Sequence, residues 1–269
     1  MYETVYHRPT SLESAVALIG ESGGEGKYMS GGQTLIPTMK QRLAAPSALV
    51  DLRHVPELKG IEVNGRSIRI GGGTTHAEVA RHEGIKSACP GVSELAGLIG
   101  DPAVRHLGTL GGSIANNDPA ADYPAAMLAL GATIHTNRRE IPAGDFFLGL
   151  FETALEEDEI VTAASFEAPD RCGYEKFRNP ASRYAMCGVF VAQRGTDVKV
   201  GVTGSGSNGA FRWEAAEQAL SSNFDGSALA DLSADEGMMM SDMHGTSAYR
   251  ANLVKVVTKR AVAKAAAHG

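Results

Sequence analysis

Two short phrases carry most of the chemistry in this chain. Ser30–Thr34 reads SGGQT and Thr109–Ser113 reads TLGGS, about eighty positions apart. Each sets a Gly-Gly pair among small hydroxyl residues. A Gly-Gly turn exposes successive backbone N–H groups with no side chain in the way, and such groups form a concave seat for an anion. Neighbouring Ser and Thr hydroxyls add donors. A single such phrase is weak evidence and reads first as a tight turn with no ligand. A pair with matching flanks suggests two seats facing one ligand with linked phosphates, and the pyrophosphate of a dinucleotide fits that description. The usual dinucleotide fingerprint, G-x-G-x-x-G after a first strand, is absent, and so is the G-x-x-x-x-G-K-[ST] loop. Any dinucleotide is therefore expected in a site of another kind.

Composition narrows the class. The 269 residues suffice for one large domain or a few small ones, each with its own core. Glycine is abundant, at 32 residues, which points to many close backbone approaches. The net charge of -6 and the lack of a basic run argue against a general nucleic-acid role. Cys89, Cys172 and Cys187 are few, odd in number and far apart, so neither a disulfide framework nor a metal motif is expected. They read as buried free thiols. No apolar run approaches membrane-spanning length, and the start MYETVYHRPT has no apolar core of a signal peptide. A cytoplasmic protein is expected.

The elements that must position the two phrases are mixed. Thr10 and Glu13 have capping-box spacing ahead of an amphipathic helix, and Thr75 and Glu78 repeat it. Residues 61–73 read as a hairpin around Asn64-Gly65, with Ile61, Val63, Ile68 and Ile70 alternating. Asp101, Pro102 and Gly108 bracket a short helix, and Gly131 stops another that begins near Tyr123. Gly71–Gly73 reads as a turn feeding a capped helix. Residues 184–204 read as a long apolar hairpin, and a long helix closes the chain. Strict βα alternation is missing, so an α+β protein is predicted rather than a doubly wound sheet.

The stretches SGGQTLIPTMKQRL, LVDLR, RHLGTLGGSIANNDPAADYPAAMLALGA and DMHGTSAYRANLVKVVTKRA resemble the FAD-binding medium subunit of molybdenum hydroxylases. This is the xanthine dehydrogenase and aerobic carbon monoxide dehydrogenase family, and the likeness runs in order over essentially the whole chain. It implies an α+β fold of the vanillyl-alcohol oxidase/PCMH type over 1–170, with subdomains of about 1–56 and 57–170. A C-terminal domain of the carbon monoxide dehydrogenase flavoprotein type would cover 171–269, with a three-stranded antiparallel sheet and a helical bundle.

The resemblance also implies residue roles. Met29, Ser30, Gly31, Gly32, Gln33, Thr34 and Leu35 would wrap the FAD pyrophosphate, mainly through backbone N–H groups. Thr109, Leu110, Gly111, Gly112 and Ser113 would complete the cradle, with Ser113 where the family more often has Asn. Asp122 would bind a ribose hydroxyl on the adenosine side. Ile99 would touch the cofactor from a helix, and Ile160 and Val161 would approach it by backbone. Arg178, with Lys176 as the alternative register, and Tyr184 would lie near the flavin. Other readings stand beside these: helix N-caps for Asp118 and Asp122, plain core for Ile99, Ile160 and Val161, a surface charge for Arg178, and a core aromatic for Tyr184. His76 and His106 read as structural.

The implied function is electron transfer through non-covalent FAD, in an oxidoreductase subunit with no catalytic base or metal of its own. The molybdenum cofactor would sit on a large partner subunit and [2Fe-2S] clusters on a small one, in a dimer of heterotrimers. A free-standing FAD oxidoreductase of the same fold and a non-catalytic nucleotide-binding assembly module remain the alternatives.

Overall fold

The computed structural model describes residues 2–268. The chain opens with β1 (Val5–His7), α1 (Leu12–Glu21), β2 (Gly26–Met29), α2 (Leu35–Lys40) and β3 (Ala48–Asp51). These strands form a parallel sheet ordered β1-β3-β2. Ala15 and Ile19 of α1 pack on Val50 and Leu52. The capping box of α1 is one residue later than Thr10 and Glu13 would have it. Ser11 Oγ accepts from the Ser14 N–H at 3.2 Å, and Ser14 Oγ accepts from the Ser11 N–H at 3.2 Å. Glu13 stays in the first turn, where its charge suits the helix dipole.

The middle of the chain runs β4 (Ile61–Asn64), β5 (Ser67–Gly71), α3 (His76–Arg81), α4 (Glu83–Ala88), α5 (Pro90–Gly97), α6 (Pro102–Leu107), α7 (Leu110–Asn116) and α8 (Tyr123–Leu130). It continues with β6 (Thr133–Thr136), β7 (Glu140–Pro142), α9 (Ala143–Phe146), β8 (Phe147–Gly149), β9 (Glu152–Thr153) and β10 (Val161–Glu167). An antiparallel sheet ordered β4-β5-β10-β6-β7 results. The Asn64-Gly65 hairpin, the Thr75 capping box and the Asp101 cap form as their residues predict. Ile68, Ile70, Ile134 and Ala164 point from the sheet into a core shared with Val92, Leu95, Leu110 and Ile114.

The last part contains β11 (Arg171–Arg178), β12 (Ala185–Arg194), β13 (Asp197–Thr203), β14 (Phe211–Arg212), α10 (Glu214–Ser222) and α11 (Ser247–Ala267). Its antiparallel sheet follows chain order, and the two-residue β14 adds a short fourth edge to the three long strands. One face packs on α10 and α11. The other face meets α8, which is buried nearly all round. Gly201 makes that contact possible: a Cβ there would lie 2.0 Å from the Ala125 carbonyl oxygen. All three cysteines are buried and free, with Cys89 and Cys172 sulfurs 3.6 Å apart.

Candidate functional site

A cleft of about 970 Å³ runs where the three sheets meet. That is at the upper end of the roughly 300–1,000 Å³ of small-molecule sites. Lys27–Leu35 form one wall. Gly72, Gly73, the 99–113 segment and Glu156–Val161 form the opposite wall, while Lys176 and Ala181–Tyr184 come from the C-terminal sheet.

Glycines set how closely these walls approach. A Cβ on Gly31 would lie 2.2 Å from the Leu107 carbonyl oxygen and 2.6 Å from Gly108 Cα. A Cβ on Gly111 would lie 2.7 Å from the Gly72 carbonyl oxygen, and one on Gly72 would lie 2.2 Å from that of Val161. These are backbone-to-backbone seams, and no side chain can yield to relieve them. Gly32 has a different reason to be glycine, since its φ of 68° lies in the left-handed region.

The two Gly-Gly phrases are not equivalent. Among the described residues, the N–H groups of Gly31, Gly32, Gln33 and Thr34 have no protein acceptor. They line the cleft just ahead of α2 and form a seat of free donors. The second phrase is a helix start rather than a turn. Thr109 is the N-cap of α7, and its Oγ1 accepts from the Gly112 N–H at 3.1 Å. The Leu110 N–H donates to Thr74 O, the Gly111 N–H to Gly72 O at 2.8 Å, and the Ser113 N–H to Thr109 O. Four of its five backbone donors are therefore spent inside the protein, and among the described residues the Thr109 N–H alone has no protein acceptor. What remains on the cleft side is the hydroxyl pair Ser30–Thr109, with oxygens 2.8 Å apart, together with Gly112 and Ser113.

Asp122 sits at the start of α8, 4% exposed, without a capping bond. Its carboxylate accepts from the Tyr174 hydroxyl and from Lys176 Nζ at 2.9 Å. Lys176 is likewise sealed, with its side chain 2% exposed. Burial raises the Asp122 carboxyl above its ordinary pKa, opposed by the charge of Lys176 and the Tyr174 hydroxyl. Burial and the Asp122 charge push the Tyr174 phenol well up, so it stays a donor. Asp118 is no N-cap: its Oδ1 accepts from the Ala120 N–H at 2.8 Å in the turn before α8.

The remaining predicted residues divide. Met29, Ser30, Leu35, Ile99, Ile160, Val161 and Tyr184 all line the cleft. Ile99 does so from the turn after α5 rather than from the helix, because α5 ends at Gly97. Leu110 points into the core, and Arg178 is exposed outside the cleft lining. Lys176, the other register, faces it. Tyr184 is 49% exposed at the rim. Sequence reasoning passed over Gly72, Gly73 and Gly108. The run Gly71–Gly73 carried a usable signal, since consecutive glycines mark close backbone approach as well as turns. Nothing local marked Tyr174.

The carboxylates of Asp101, Asp118, Asp122, Glu156, Glu157 and Glu159 outnumber the cations on the cleft wall, which are Lys27, Lys176 and Arg183. Glu159 is bound by Arg139 at 3.0 Å, and hydrogen bonds from that guanidinium hold its pKa down to about 2. An anion here must rely on peptide dipoles.

A family profile described as "FAD binding domain in molybdopterin dehydrogenase" matches residues 1–166. The chain belongs to the FAD-binding medium subunits of the molybdenum hydroxylases. The carbon monoxide dehydrogenase medium chain of Afipia carboxidovorans is 34% identical over 277 residues, covering 97% of this chain and 96% of the relative. The nicotine 6-hydroxylase medium subunit of Paenarthrobacter nicotinovorans is 32% identical, covering 97% of each. A solved structure of reconstituted CO dehydrogenase from Oligotropha carboxidovorans covers 100% of both chains with a TM-score of 0.90 and 33% identity. As a medium subunit of this family, the chain is an oxidoreductase component with FAD as its cofactor. The seat at Gly31–Thr34 suits that cofactor, because its free N–H groups match a diphosphate and a cleft of this size can take an extended dinucleotide. Among the described residues no helix is long and apolar enough to cross a membrane.

Proposed function

We propose that this medium subunit is the electron-transfer component of its complex, taking electrons from iron-sulfur clusters of a partner chain and passing them to an external acceptor. The seat of free N–H donors at Gly31–Thr34 carries this reading. When bound, FAD supplies a carrier that accepts electrons singly or in pairs, chemistry that no side chain here offers. Gly31–Thr34 hold its diphosphate by backbone, with Ser30, Thr109, Gly112 and Ser113 beside them. Met29, Leu35, Ile99, Ile160 and Val161 supply apolar wall. Asp122 and Lys176 set the polarity at the far wall, and Tyr184 covers the open side. Attachment is non-covalent.

The rest of the assembly follows the relatives, which are named as medium chains or subunits. The chain works in a cytoplasmic multi-subunit enzyme, a dimer of heterotrimers. A large subunit oxidises the substrate at a molybdenum cofactor, and a small subunit carries [2Fe-2S] clusters. Residues 1–170 form the FAD-binding part and 171–269 the C-terminal domain, which contributes Lys176 and Tyr184 to the same cleft.

Anaerobic absorbance at the flavin band tests the proposal. The isolated, FAD-loaded chain should bleach with dithionite but not with a substrate of the complex. With both partner subunits added, that substrate should bleach it within a turnover. Unaided turnover of an aldehyde or N-heterocycle by the isolated chain would replace this reading with a free-standing oxidoreductase.

A further inference from the structure

His76 stands on the wall of the same cleft. It is the first residue of α3, its N–H donates to the Gly108 carbonyl at 2.9 Å, and its ring lies against Tyr123 with centroids 5.4 Å apart. The residue is only 4% exposed, yet it lines the cleft. Its Nδ1 is sealed and has no hydrogen-bond partner. The other nitrogen faces Gly108. A Cβ on that glycine would lie 2.7 Å from Nε2. Gly108 in turn is the residue on which Gly31 packs, since a Gly31 Cβ would lie 2.6 Å from its Cα. Gly31, Gly108 and His76 therefore follow one another along a single edge of the cleft, and the absence of a side chain at 108 leaves Nε2 a way in.

The tautomer follows from burial. A neutral imidazole carries one N–H. On the backbone, a buried N–H is left without an acceptor more rarely than a carbonyl without a donor, and we extend that ordering to the ring nitrogens. The sealed Nδ1 is therefore the lone-pair nitrogen, and the proton sits on Nε2, the atom facing the cleft edge. Burial, with the Arg105 guanidinium nearby, holds the ring pKa down to about 4, so the ring is neutral at pH 7.

We propose that His76 is a further cofactor-binding residue: a neutral imidazole whose Nε2–H donates to the diphosphate of FAD beside the Gly31–Thr34 seat. This rests on the reading of the cleft as the FAD site. It gives the phosphate a donor without adding a second buried cation beside Lys176. It also gives Gly108 a reason to be glycine that the helix end does not, since its φ of -61° is open to any residue.

The test is titration of FAD, ADP and riboflavin into the full chain stripped of flavin, with folding checked by circular dichroism. His76→Phe should weaken FAD and ADP by the same factor, at least tenfold, and leave riboflavin unchanged. His76→Gln, whose amide N–H can reach the place of Nε2, should restore FAD to within about threefold of the parent. Gly108→Ala, which sets a methyl on Nε2, should reproduce the loss, and it decides the matter if the Phe variant does not fold. Unchanged FAD affinity in the folded variant, or an equal loss for riboflavin, overturns the proposal. Failure of the parent chain to bind FAD at all would instead remove the reading of the cleft.

Discussion

Gly31 and Leu107 meet backbone to backbone, so closely that a Cβ on Gly31 would stand 2.2 Å from the Leu107 carbonyl oxygen. This contact joins the parallel sheet unit to the α6–α7 segment and sets the width of the cleft. Gly31→Ala must push the two segments apart. Overpacking of this kind costs about 1–3 kcal/mol. The apo chain should lose that much in urea unfolding, and FAD affinity should fall with it. Parent-like unfolding would show that the seam gives way without cost.

Gly112 is the contrasting case. A Cβ there would meet Thr109 Oγ1 at 3.0 Å and Ser30 Cβ at 3.6 Å, both on the cleft side. Gly112→Val should therefore spare the apo fold and fill ligand space instead. FAD affinity should drop at least tenfold, about 1.4 kcal/mol. Equilibrium dialysis with flavin gives the answer, and parent-like binding would clear Gly112 of any contact with the cofactor.

Asp122 and Asp118 separate by what each leaves behind. Asp122→Ala strands the Lys176 ammonium in a pocket where its side chain is 2% exposed. Breaking a buried pair costs about 3–5 kcal/mol. Asp118→Ala removes one turn hydrogen bond, at about 1 kcal/mol. Denaturant melts of the two flavin-free variants should show this ranking. A loss for Asp122→Ala seen only in FAD titrations would mean that its principal partner is the ligand rather than Lys176.

The low pKa of His76 makes stability depend on pH. Its folded value of about 4 lies below the ordinary 6.5, so the folded chain favours the neutral ring. The associated stability is fully present above about pH 6.5 and is lost as pH falls toward 4, by up to about 3 kcal/mol. In His76→Gln that part of the acid dependence should vanish, so the gap between variant and parent narrows as pH drops through the window. A constant gap between pH 7 and 4 would show that the ring does not titrate differently in the two states.

Much of the local structure was legible in the residues. Asn64-Gly65 between alternating Ile and Val positions predicts the β4–β5 hairpin, because a two-residue turn and a period of two leave little choice. Thr75 with Glu78, and Asp101 with Pro102, predict helix starts from contacts three residues apart. Where two caps compete at neighbouring positions, as with Thr10 and Ser11, the residue types alone do not decide. The resemblance, too, rested on phrases that can be read in line.

The composition of the cleft was legible in the same way, since the Gly-Gly phrases and the resemblance single out residues that line it. Which donors remain free was decided by tertiary structure. The phrases look alike, yet the N–H groups of Leu110 and Gly111 are taken by Thr74 and Gly72, brought there by the seam between β5 and α7. Asp122 likewise meets Tyr174 and Lys176 only because α8 packs on the sheet that contains β11. Propensity and capping act over a few residues. Hydrogen bonds that cross between elements depend on sheet register and on how closely glycines let backbones approach, and those are properties of the assembled fold.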